Sequence, residues 1–409
     1  MNNLADEAST NDIFVGRQAI FDRKLDVFAY ELLFRDGSTN SANVVDGNKA
    51  TSQVITNAFL EMGVEQITQH HCAFINLTRE FLLGEIPFPL PPGKIVLEVL
   101  EDVVVDSQLV ESLERFKEEG YNIALDDFIL DEKNPVLIPF ADVIKIDLIA
   151  LSQKELIEQV KALKQYKVKL LAEKVETKQE FDLCKQLGFE YFQGYYFCKP
   201  DIVTGKQLPP NRLALLEMIA TLQNPDCSFD ELESIISKDV AISYKLLRII
   251  NSSFYGLSKK VESLQKALIV LGLQALRNWV TVIGLSQIDE KPQELINISL
   301  TRAKMCEILA AELGCDKNSA FTIGLFSMLD VLMDQPLEKL LSQLPLAEEV
   351  TDALITYSGI LGTLLKIVIA YDNNNWGELE KIAVIPPVSI QHAYLDSLRW
   401  SEEITSQIK

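Results

Sequence analysis

Seven short apolar runs in the first half of this 409-residue chain each deliver a polar side chain suited to metal binding or proton transfer. Glu31 lies in YELLFRD, Asn76 in FINL and Glu98 at the end of IVLE. Asp126 and Asp127 close IALDD, and Lys145 and Asp147 close VIKID. Glu173 closes LLAE, with Glu176 three residues on, and Gln193 follows YF. A single acidic strand end is ordinary turn chemistry. Gathered on one face, Glu31, Glu98, Asp126, Asp127 and Glu173 would repel one another unless a cation neutralised them. The donors are oxygens, so a hard divalent cation is the natural neutraliser. The histidines are His70, His71 and His392, which make no zinc set with the cysteines. Carboxylates with one asparagine and one lysine point to a one- or two-metal Mg²⁺/Mn²⁺ centre for phosphoryl chemistry.

The elements that must position these groups follow from periodicity. Strand-like runs cover 28–34, 74–77, 95–99, 122–125, 143–146, 169–172 and 191–192. Between them, 107–119, 153–166 and 178–187 have helical periodicity, with Gly120 and Gly188 where helix ends need glycine. This spacing is that of βα units. The count predicts a (β/α)8 barrel, whose strand C-termini share one face, with a doubly wound open sheet as the alternative. From Pro209 the pattern turns helical: 211–222, 229–237, 242–251, 261–271, 273–284 and 300–313. Pro200, Gly205, Pro209 and Pro210 mark a short linker, so the expected domains are 1–204 and 205–409.

Hydrophobic residues at 48% and charged residues at 24% fit a globular chain rather than a disordered one. A formal net charge of −21 disfavours duplex nucleic acid and anionic membranes. The N-terminus lacks a signal-peptide layout, and no long uncharged apolar run predicts membrane insertion. Cysteines at 72, 184, 198, 227, 306 and 315 form no C-x-x-C pair, which fits a reducing cytoplasm.

The ordered motifs YELLFR, FINL, LEVLE, LDDF, IKID, AEKVET and QGYYF resemble the EAL-domain proteins over roughly residues 13–202. Those bacterial proteins hydrolyse or bind the second messenger cyclic di-GMP. The stretch from PPNRLALLEMIATLQ through SLQKALIVLGLQALRNWV resembles the HDOD domain, a helical relative of the HD phosphohydrolases. The implied fold is α/β plus all-α, a modified TIM-like barrel followed by a helical domain. The resemblance implies that Glu31, Asn76, Glu98 and Asp126 ligate one Mg²⁺ or Mn²⁺. It implies that Asp127 serves a second metal and that Glu173 is a metal-site glutamate and candidate base. Lys145 would orient or help activate the attacking water, and Glu176 and Gln193 would position water. Arg35 would bind phosphate, and Gln18 would contact a guanine. The implied reaction opens the cyclic dinucleotide to linear pGpG.

Two departures matter. After Asp127 the family's active members carry a Gly-Thr-Gly-Tyr-Ser-Ser-Leu loop, whereas this chain reads Phe128, then Ile129-Leu130-Asp131-Glu132-Lys133-Asn134-Pro135. Glu101, matching the glutamate that anchors that loop, remains. The segment 36–49 also departs from the pattern. In the helical half, Ser327 and Met328 stand where an HD enzyme would have His-Asp, which makes catalysis there unexpected. Asn251 and Ser252 match an HDOD motif, read equally as a polar helix end, and Trp279 reads as core. The first expectation is a metal-dependent cyclic di-GMP phosphodiesterase whose HDOD domain regulates it or docks an unidentified protein. The alternatives are a catalytically impaired cyclic di-GMP receptor and a protein scaffold. A homodimer through the barrel is a further expectation, which the altered loop weakens.

Overall fold

The computed structural model describes residues 13–36, 64–84, 92–130, 135–194, 210–224, 226–238, 240–251, 261, 263–286, 288, 291–382 and 384–408. The side chains of residues 34–36, Arg35 among them, lie outside the description. The described residues separate into two compact units, a barrel ending at Gly194 and a helical unit from 210 onward.

The barrel closes in sequence order: β1 (Ile13–Asp22), β2 (Val27–Asp36), β3 (Cys72–Leu77), β4 (Ile95–Val99), β5 (Asn122–Leu125), β6 (Val143–Asp147), β7 (Lys169–Glu173) and β8 (Tyr191–Phe192). From β2 to β8 neighbours are parallel, whereas β1 runs antiparallel to both β2 and β8. The closed barrel excludes the open-sheet alternative. Strand β1 was not among the expected runs, because Gly16-Arg17-Gln18 interrupts its apolar pattern. Burial satisfies that interruption: the Arg17 guanidinium donates to the Ile67 carbonyl at 2.7 Å and stacks 4.1 Å from the Tyr30 ring centre.

Outer helices α1 (Ser107–Glu118), α2 (Gln153–Leu163) and α3 (Lys178–Leu187) follow β4, β6 and β7. The starts of α1 and α2 are capped locally. Asp106 accepts from the Leu109 amide at 3.0 Å, and Ser152 with Glu155 forms a reciprocal capping box on α2. Gly120 and Gly188 take positive φ of 91° and 102° where their helices end.

Inside the barrel one residue from every strand meets in an apolar layer: Ile20, Ala29, Phe74, Val96, Ala124, Val143, Leu171 and Tyr191. Side chains alternate faces along a strand, so the next inward layer lies two residues further along each strand. That register fixes the site described below.

The helical unit contains α4 (Pro210–Gln223), α5 (Leu273–Leu285), α6 (Gln293–Leu313), α7 (Lys317–Phe326), α8 (Gly359–Asp372) and α9 (Pro387–Ile408), with shorter helices between them. Trp279 is core, its ring centre 5.5 Å from that of Trp400 with the planes tilted by 37°. One stretch, Glu348–Asp372, has the length and apolarity of a membrane span, and half of its most apolar window is buried inside the unit. A core helix has the same composition, and Tyr357 at φ 54° interrupts this one.

Candidate active site

Advancing two residues from the apolar layer gives Glu31, Asn76, Glu98, Lys145 and Glu173 on their strands, and Asp126 and Gln193 directly after β5 and β8. On antiparallel β1 the same step runs backwards and gives Gln18, which pairs in register with Glu31. The polar ring is therefore dictated by strand parity above a packed apolar plug. Eight of the sequence-predicted site residues occupy it, one per strand.

Lys145 stands at the centre of the ring, 1% exposed. Its ammonium lies 2.7 Å from Asp126 Oδ1, 2.8 Å from Glu98 Oε1, 3.0 Å from Glu173 Oε1 and 3.3 Å from Glu31 Oε2. The Gln193 amide donates to Glu31 Oε2 at 2.7 Å and to Gln18 Oε1 at 3.0 Å. Asn76 donates to the other Glu31 oxygen at 3.2 Å. Glu31 is thus oriented from both sides. Gly194 lets Gln193 reach this position: a Cβ there would lie 2.3 Å from the Val175 amide nitrogen, while Val175 N–H bonds to the Gln193 carbonyl at 3.0 Å.

One ammonium cannot balance four carboxylates. Burial, then repulsion from Glu31, drives the Glu98 carboxyl well above its usual range. Burial also raises Asp126 and pushes Glu173 to about 8. Burial opposes the charge on Lys145, but the surrounding carboxylates outweigh it and hold the ammonium well above its ordinary pKa. Lys145 is therefore a fixed cation at neutral pH, not a base.

The donor set fits a hard divalent cation. Asn76 Oδ1, Glu98 Oε2, Asp127 Oδ1, Glu173 Oε2 and Gln193 Oε1 are buried oxygens with no hydrogen-bond donor. Oxygen acceptors without donors in a negative cavity call for positive charge. Among the described residues no three carboxylates already stand in coordinating positions about one point; the Lys145 ammonium supplies the charge in this arrangement.

Asp127 lies outside the ring, on the turn after β5 at φ 40°. Its Oδ2 lies 3.9 Å from Lys174 Nζ, which also contacts Asp147 Oδ2 at 2.5 Å. Glu176 is exposed between β7 and α3 and is not among the carboxylates paired with Lys145. Arg35 lies on β2, in register with Phe14. The altered loop starts in an ordered way: Phe128 N–H bonds to the Lys145 carbonyl at 3.0 Å. Leu130 is anchored to α2, its N–H donating to Gln159 Oε1 at 2.9 Å and its carbonyl accepting from Gln159 Nε2 at 3.3 Å. Residues 131–134 lie outside the described residues. Lys174 was not among the expected site residues. Its only sequence signal was a lysine directly after Glu173.

In the helical unit, Ser327 and Met328 at the expected His-Asp position are met by an arginine from another helix. Arg302 on α6 donates through Nε to Asp372 Oδ2 at 2.8 Å. Its Nη1 reaches Met328 Sδ at 3.2 Å and Ser327 Oγ at 3.5 Å, and its Nη2 reaches Asn373 Oδ1 at 3.3 Å. Helices α6 and α7 approach closely because Gly324 has no side chain; a Cβ there would lie 2.4 Å from the Arg302 carbonyl oxygen. A permanent guanidinium thus stands beside Ser327 and Met328. Asn251 is structural, bonding Val261 through both its amide N–H and its oxygen at 2.8 and 2.7 Å; Ser252 lies outside the described residues.

The EAL domain family matches residues 47–200 and the HDOD domain family matches residues 208–352. The cyclic di-GMP phosphodiesterase CdgJ of Vibrio cholerae is 34% identical over 405 residues, spanning 97% of this chain and 94% of that protein. The uncharacterised protein YuxH of Bacillus subtilis is 32% identical over 406 residues, spanning 96% of this chain and 98% of its own. A solved structure of Klebsiella pneumoniae BlrP1 with calcium and cyclic di-GMP is 22% identical, with a TM-score of 0.37 over 45% of this chain and 55% of that one.

Proposed function

The chain belongs to the proteins that join an EAL domain to an HDOD domain, and from that premise we propose that its barrel hydrolyses cyclic di-GMP to linear pGpG. The observation that carries the reading is the polar ring: one inward side chain per strand, with four carboxylates converging on buried Lys145. The near full-length likeness to a cyclic di-GMP phosphodiesterase supports it.

Glu31, Asn76, Glu98, Asp126 and Glu173 would hold one cation, and Asp127 would serve a second. Bound there, Mg²⁺ or Mn²⁺ supplies Lewis acidity toward the phosphodiester and the attacking water. The chain's own groups do the rest. Gln193 and Asn76 fix both Glu31 oxygens, so the ligand face is preorganised. Lys145, held as an ammonium by the surrounding carboxylates, would orient water and stabilise charge developing on the phosphoryl oxygens. Glu173 Oε2, buried without a donor, would take the proton of the attacking water once a bound cation has displaced the proton that burial favours on this carboxyl. Gln18, bonded to Gln193, links the guanine-contacting position to the ring. Arg35 would bind phosphate, and Glu176 would position water. The net step forms one P–O bond from water, breaks one ring P–O bond, and delivers a proton to the leaving ribose oxygen.

In the helical unit the Arg302 guanidinium stands beside Ser327 and Met328, a setting unfavourable to a bound cation, and the unit would act by regulation or by docking a protein. The receptor reading keeps one observation in its favour, the Leu130 anchor on α2 in place of the glycine loop.

Calorimetry with cyclic di-GMP, followed by chromatography of the same sample in Mn²⁺, separates the readings. Linear product made by the wild type and absent in Asp127→Asn supports the enzyme. Saturable binding without product makes the barrel a receptor.

A further inference from the structure

Lys174 and Asp127 face each other across the turns that follow β7 and β5. Both are non-glycine residues in the left-handed region, at φ 53° and 40°. That conformation is uncommon for such side chains and persists where surroundings enforce it. Here the two turns are tied by charge. Lys174 Nζ contacts Asp147 Oδ2 and stands 3.9 Å from Asp127 Oδ2. Asp147 is itself fixed, its Oδ1 accepting the Ile149 amide at 2.7 Å. The other Asp127 oxygen, Oδ1, is buried with no donor. Asp127 therefore offers one open oxygen toward the interior and one oxygen to a lysine. The Lys174 side chain is half exposed, at 50%, so it can shift from Asp127 toward solvent while Asp147, 12% exposed, keeps it as a partner.

We propose that Lys174 is a tethered counter-charge that holds Asp127 in place and competes with the second divalent cation for it. The proposal rests on the metal-dependent reading above. A cation binding at Asp127 meets the Lys174 charge across the same carboxylate, and the two repel. Lys174 must move aside before the second site fills. In exchange it keeps Asp127 aimed at the cavity while that site is vacant, a task the altered loop after Phe128 no longer performs with glycines. The barrel then fills its two sites in order. The ring site around Glu31 and Glu98 loads first, and the Asp127 site responds to the Mn²⁺ level.

The test is calorimetric titration of the full chain with Mn²⁺, without nucleotide, for the wild type, Lys174→Asn and Lys174→Gly. Both replacements tolerate the left-handed backbone. The wild type should bind one tighter and one weaker equivalent. Each variant should tighten the weaker equivalent by roughly three- to ten-fold, and the gain should shrink between roughly 0.05 and 0.5 M NaCl. A purely structural role for Lys174 would loosen the weaker site and would not follow salt in this way. An unchanged or loosened weaker site, or a gain that ignores salt, overturns the proposal and leaves the hydrolase reading standing. Failure of the wild type to bind any Mn²⁺ overturns both. Glu31→Ala is the control, expected to abolish the tighter equivalent.

Discussion

Lys145 Nζ lies 2.8 Å from Glu98 Oε1, with the lysine 1% and the glutamate 0% exposed. Neither side chain can turn to solvent, and each needs the other. Replacing the lysine by methionine strands four carboxylates around an apolar tip. Such an uncompensated loss costs about 3–5 kcal/mol. Lys145→Met should therefore lower the barrel's unfolding free energy by that order in chelator, measured by urea titration. Added Mn²⁺ should recover part of it by supplying the missing charge. Equal stability of variant and wild type in chelator would show that the ring is not held by this ammonium.

Acid groups raised by burial give the site a definite pH response. Glu173 moves from 4.5 to about 8 on folding. The folded state therefore binds its proton more tightly than the unfolded state does. Stability from this group is fully present below 4.5 and is lost as pH rises through about 8. Glu98 and Asp126 shift in the same direction. Divalent cations compete with those protons, so the Mn²⁺-induced rise in Tm should grow as pH climbs through this window. Paired melting curves with and without Mn²⁺ on either side of the window check it. A metal shift independent of pH would contradict the ring's protonation.

Gln193 makes two hydrogen bonds within the ring, to Glu31 Oε2 beside the Lys145 ammonium and to Gln18 Oε1. Gln193→Ala leaves Glu31 Oε2 to Lys145 and removes this donor from Gln18. Loss of such a supporting amide costs roughly 10–100-fold in metal affinity or turnover. The loss should fall on kcat and on Mn²⁺ affinity together. A change confined to KM would instead make Gln193 a substrate contact.

The ring was legible in the sequence because barrel parity and motif order agree. Each apolar run carries its polar residue at a fixed step from the plug residue, as Phe74 to Asn76 and Leu171 to Glu173. Strand β1 escaped notice because Arg17 and Gln18 break its apolar run, and only the fold reveals their buried partners at Ile67 and Gln193. The Lys174–Asp127 pair was illegible for another reason. The two residues lie 47 positions apart, and their meeting depends on two left-handed turns. Arg302 was likewise invisible, since 25 residues separate it from Ser327.

Arg302 is 5% exposed and engages Asp372. Arg302→Ala leaves that carboxylate buried and unpaired, a loss of about 3–5 kcal/mol. Scanning calorimetry should show the transition of the helical unit moved down while the number of Mn²⁺ equivalents stays unchanged. A lost metal equivalent would instead place metal chemistry in the HDOD domain.

The central claim is hydrolysis by the ring, and single-turnover kinetics test it most directly. Enzyme in excess over cyclic di-GMP, in Mn²⁺, isolates the chemical step from product release. Wild type should convert the ring form to linear pGpG in one exponential phase, and Glu31→Ala should leave it intact. Persistence of cyclic di-GMP with wild type, despite bound nucleotide and metal, would contradict the account and leave the barrel a receptor.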